Sequence, residues 1–95
     1  MTVWPPLRFI RLSTSEIDIE LKLIFGEELL DEVLARSCAY FLRRLDRQKF
    51  QMASEGLRVR FGPERRRFFH QLDSVTRGAL IYSLLRPAEW NQAVL

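Results

Sequence analysis

Ninety-five residues, 47% apolar and 28% charged, suffice for one domain with a modest core but not for two, and the balance is that of a folded chain rather than a disordered one. The single cysteine, Cys38, excludes an internal disulfide framework, and no apolar run approaches the roughly 20 residues that a membrane span needs. The net charge of +3 hides an asymmetry: residues 1–35 carry seven acids against three bases, residues 36–95 five acids against twelve bases, and thirteen of the fifteen bases are arginine. Such a division can steer self-association or binding to a polyanion, and arginine suits bidentate pairing with carboxylate or phosphate. A genome-wide codon bias would also enrich arginine.

In chain order, residues 1–6 read as an extended arm, since the paired prolines Pro5 and Pro6 exclude a helix there. "LRFIRL" has the content of a short strand. "EIDIELKL", Glu16 to Leu23, alternates polar and apolar at all eight positions and predicts a half-buried strand, with Ser13–Ser15 as the hairpin connection. A capping box from Ser13 to Glu16, opening a helix, is the alternative.

From Gly26 the chain runs to Gly56 without another glycine or any proline. Leu30, Leu34, Cys38, Phe41, Leu45, Gln48 and Met52 recur at spacings of four and three, which predicts a single amphipathic helix of about 28 residues, near 40 Å long. Acids crowd its start and bases its second half, as the helix macrodipole favours. A helix this long calls for a partner, so Leu30, Leu34, Phe41, Leu45 and Met52 form the expected helix interface. "LRVRF", Leu57 to Phe61, alternates again and predicts a third strand, with Arg58 and Arg60 outward. Gly62–Pro63 opens the last helix, which Asp73 or Ser74 can restart as an N-cap. Pro87 ends it, leaving 87–95 as a short tail anchored by Trp90. The expected fold is therefore α+β over a single domain 1–95, a small β-β-α-β-α layer, with an all-α, bundle-like arrangement as the alternative.

Catalytic and cofactor signatures do not emerge from the sequence. One His and one Cys cannot build a clustered soft-ligand metal site, no serine lies in a nucleophile elbow, and no glycine-rich phosphate loop occurs. His70 and Asp73, three apart, are read as solvated or capping residues, and Cys38 as a small core residue. The expectation is no enzyme, no catalytic residue, no cofactor and no metal.

What stands out is "LRVRFGPERRRFFH", with five arginines in fourteen residues. Arg58 and Arg60, side by side on a strand, would pair with Glu16, Asp18 and Glu20 across the sheet or follow successive phosphates. Arg65, Arg66 and Arg67 are predicted in the first turn of a helix, where the macrodipole disfavours cations; either the acid-rich start of the long helix, a partner's carboxylates or nucleic acid compensates them, or salt screening lets the mismatch stand. These five arginines are the expected partner- or phosphate-binding patch. The functional expectation is a small cytoplasmic protein–protein interaction module, an adaptor, assembly factor or regulator. It would form a homodimer or larger assembly, or bind another protein with an acidic surface, and would not engage a membrane. The location follows from the one cysteine and from an N-terminus lacking the basic and apolar regions of a secretory signal. The alternative is a basic nucleic-acid-binding protein using the same arginines, with Arg43, Arg44 and Arg47 extending the footprint, although no helix-turn-helix spacing, GxxG loop or RNP-type strand supports it.

Overall fold

The computed structural model describes residues 26–94, which form six helices: α1 (Glu27–Leu34), α2 (Cys38–Arg44), α3 (Arg47–Arg58), α4 (Gly62–His70), α5 (Ser74–Leu85) and α6 (Pro87–Val94). Among the described residues there is no strand, so the α+β expectation is replaced by an all-α fold. The arm at 1–6, the two N-terminal strands and their hairpin lie outside the described residues, as do the cross-strand pairings of Arg58 and Arg60 with Glu16, Asp18 and Glu20.

The predicted third strand is corrected. Leu57 and Arg58 are the last residues of α3, and 59–61 form the turn to α4. The alternation misled because only Leu57 is buried, whereas Val59 and Phe61 are 69% and 72% exposed. Five alternating residues cannot by themselves separate a strand from a helix end followed by a turn.

The single long helix is corrected as well. A continuous 28-residue helix would be ~42 Å long at ~1.5 Å per residue, and the fold's longest dimension is 32 Å. Two polar side chains divide it into α1, α2 and α3. Ser37 is extended, and its hydroxyl accepts from Tyr40 N–H at 3.2 Å, capping α2. Asp46, also extended, accepts from Gln48 N–H at 2.9 Å and Lys49 N–H at 3.2 Å, capping α3. Each cap replaces backbone bonds that the continuous helix would have made. Gly56 does not stop α3, which continues to Arg58. It is a glycine because the Phe68 ring of α4 crosses it, and a Cβ there would overlap that ring.

Helix α5 is the axis of the core. Ala79, Leu80, Ile81 and Tyr82 are four consecutive buried residues, so the helix is enclosed on all sides. Helices α1, α2, α3 and α6 all pack against it. The closest approach is at Gly78, where the Phe41 ring of α2 occupies the space of an absent Cβ. Leu30, Val33, Phe50, Leu57, Phe69 and Trp90 complete the buried cluster.

The predicted restart at Asp73 is present. Its carboxylate accepts from Thr76 N–H at 3.0 Å and from the Thr76 hydroxyl at 2.7 Å, capping α5. Partial burial works to raise the Asp73 carboxyl, but the Thr76 hydrogen bonds, and Lys49 nearby, outweigh it and hold the group below its ordinary value. A carboxyl depressed on folding adds stability above its unfolded pKa and loses it as pH falls through the folded one. Asp73→Ala is therefore expected to destabilise by about 0.5–2 kcal/mol at neutral pH. In urea melts, that difference from the unmodified protein should shrink steadily as pH is lowered through and below the carboxylate range; a pH-independent difference would refute the cap.

Candidate partner-binding groove between α3 and α4

The structure separates the five predicted arginines. Arg65 is only 5% exposed, and its Nε donates to Leu57 O at 3.0 Å and Arg60 O at 2.6 Å. Those carbonyls lie at and just beyond the C-terminus of α3, the negative end of its macrodipole. The guanidinium also lies 5.2 Å from the centre of the Phe61 ring. Arg65 is thus part of the α3–α4 junction. It stands fourth in α4, not in the unfavourable opening positions, because Gly62, Pro63 and Glu64 precede it. The argument that the triplet calls for an external counter-ion is corrected accordingly.

The other four arginines stay at the surface. Arg58, Arg66 and Arg67 are exposed. Arg60 is half-buried: its Nη1 donates to Gly56 O at 2.8 Å, and its guanidinium stacks 4.1 Å above the Phe68 ring. The five residues of the predicted helix interface are also divided. Leu30 and Phe41 are core residues at 5% and 3% exposure, Leu45 is half-buried, and Leu34 and Met52 are exposed. Once the long helix is three helices, these residues no longer share a face.

Packing Phe68 over Gly56 brings α4 against α3 and leaves a groove beside that contact. One half is mainly apolar, with Met52, Ala53, Phe68 and Leu72 as its walls and Lys49 and Asp73 at its edge, around a hollow of 310 Å³. That far exceeds the ~30 Å³ share of one water, so the hollow accepts side chains. The other half, 330 Å³, is polar and lies between Arg60, Glu64 and Arg67. Phe68 and Gln71 belong to both halves, so the two are continuous. Met52, at the apolar half, is 66% exposed. Near the polar half, in the turn before α4, Phe61 is 72% exposed.

Of the predicted site residues, the groove gathers Met52, Arg60 and Arg67. Lys49, Phe68, Gln71 and Leu72 also line it and were not singled out as site residues, since their meeting depends on how α4 crosses α3. The one local signal was Gly56, a small residue inside a helix opposite a large aromatic.

The described residues hold no group of three His, Cys, Asp or Glu side chains placed to bind a metal. Cys38 is buried, and burial, followed by the nearby Glu89 carboxylate, raises its thiol pKa. No helix among the described residues is long and apolar enough to cross a membrane. Comparison with protein-family models, with curated proteins and with solved structures finds no match for this chain.

Proposed function

We propose that the chain is a non-enzymatic interaction module of the cytoplasm, an adaptor or assembly factor, that docks an acidic and apolar surface of another protein in the α3–α4 groove. The supporting observation is the juxtaposition of Met52, largely exposed, and the Phe68–Leu72 wall with Arg60 and Arg67. An apolar floor beside guanidiniums is the composition of an interface core with a charged rim, where Met and Arg are enriched. The arginines would select carboxylates and the floor would supply the burial.

Affinity capture with quantitative mass spectrometry tests this, using the full chain, Met52→Glu, Arg67→Glu and, as a surface control, Arg66→Glu. A protein partner is expected to be retained by the unmodified chain and by Arg66→Glu, and reduced at least tenfold by the two groove variants. Equal recovery on all four chains would overturn the proposal. Duplex DNA retained at low salt, lost steeply as salt rises and lost equally in Arg66→Glu, would instead favour phosphate binding.

A further inference from the structure

We infer that the turn between α3 and α4 is a contact point for an anionic lipid surface, which Val59 and Phe61 enter while the arginines around them engage headgroup phosphates. The inference goes beyond the groove and does not depend on its occupant. Among the described residues the exposed large apolar side chains are Leu34, Met52, Val59 and Phe61, and the two most exposed share this turn, at 69% and 72%. Arg58, Arg66 and Arg67 are exposed and Arg60 is half-buried near them, against Glu55 and Glu64, so the surface around the apolar pair is cationic. Long arginine stems reach headgroups while apolar side chains sit below them.

The backbone favours lipid over a partner that reads backbone groups. A polar group carried into the apolar edge of a bilayer costs free energy unless it is already bonded. Here the bonds are internal. Val59 N–H donates to Glu55 O at 3.2 Å, and Arg60 N–H donates to Leu57 O at 3.3 Å. Arg65 Nε donates to Leu57 O and Arg60 O, and Arg60 Nη1 donates to Gly56 O. Phe61 O accepts from Arg65 N–H at 3.4 Å. The same bonds hold the turn in shape, so Val59 and Phe61 are displayed with little left to order on contact. Such a contact needs no spanning helix, of which the described residues hold none. In the cytoplasm, the inner leaflet supplies the anionic lipid.

Cosedimentation of the full chain with vesicles tests this, using phosphatidylcholine alone and equimolar phosphatidylcholine and phosphatidylserine. The mixed vesicles are expected to bind roughly tenfold more tightly or better, and less so as salt rises. Phe61→Ser should weaken that binding roughly fivefold, whereas Phe61→Trp should keep it, since tryptophan favours the membrane interface. Arg58→Glu should weaken it roughly fivefold or more. Both positions are exposed, so all three variants should melt like the unmodified chain. No binding to the mixed vesicles would overturn the inference. So would Phe61→Ser binding like the unmodified chain, which would reduce the contact to charge attraction without insertion. Single-stranded RNA retained through Phe61 in place of vesicles would also overturn it and assign the ring to base stacking.

Discussion

Trp90→Ala is expected to lower stability by about 3–5 kcal/mol, the range for removing a large buried aromatic. Trp90 is only 2% exposed although it lies in α6, five residues before Leu95. Its ring stacks on Phe50 of α3 with centroids 5.5 Å apart and meets Tyr82 of α5 at 6.3 Å. One side chain thus links three helices. The Tyr82 hydroxyl donates to the Glu89 carboxylate, seven residues on in α6, and Arg86 pairs with Glu89 at 3.5 Å, which ties α6 to the end of α5. Burial, then that bond to Glu89, pushes the Tyr82 phenol up to about 12. For a domain of this size each kcal/mol corresponds to roughly 4–8 °C in Tm, so the variant should melt at least ~12 °C lower by circular dichroism. Gln92→Ala, at an exposed site on the same helix, should stay within ~0.5 kcal/mol of the unmodified chain. A Trp90→Ala melt within a few degrees of the original would show that α6 is not part of the cooperative core.

The same helix shows what the sequence disclosed. Trp90 was legible as an anchor, because a tryptophan in a short polar segment has few other uses. The two-turn helix was not, because a proline after a helical pattern signals an end as readily as a start. Proline serves equally in the first turn of a helix, and here it opens α6 directly after α5 ends at Leu85. Asp73 was legible since a cap is a local device, and its partner Thr76 is three residues on. Ser37 and Asp46 are caps of the same kind. They were overlooked because the four-three spacing ran through them without a glycine or proline, and periodicity alone does not register a change of helix direction.

The groove was harder still. Its walls come from residues more than ten apart, Met52 and Ala53 against Phe68 and Leu72. Their meeting depends on a crossing that Gly56 permits and Phe68 occupies. No periodicity encodes that crossing. Removing Leu30 and Phe41 from the interface also follows from tertiary structure alone, since the spacing that marks a dimer seam equally marks the inner face of a globule.

Arg65→Ala is expected to cost about 2–3 kcal/mol, whereas Arg66→Ala and Arg67→Ala stay within ~0.5 kcal/mol. Three adjacent arginines of identical composition thus separate by position alone. The Arg65 guanidinium is buried against the end of α3, where Leu57 O and Arg60 O receive its Nε–H, and truncation leaves those acceptors with a weaker set of donors. Leu57 O retains the backbone N–H of Arg60 at 3.3 Å, which limits the loss. Lysine should restore little: it keeps the charge at the helix terminus, but its flexible stem has no donor at the Nε position, where one N–H is shared between the two carbonyls. In thermal melts, Arg65→Ala should fall by roughly 10–20 °C and Arg65→Lys by at least half as much, with the two neighbours nearly unchanged. Equal melts for the three alanine variants would put Arg65 back among the surface cations. The distinction governs any binding experiment on this stretch: a charge-reversed triplet would lose partner and fold together, while Arg67→Glu alone alters the groove and leaves the junction with α3 in place.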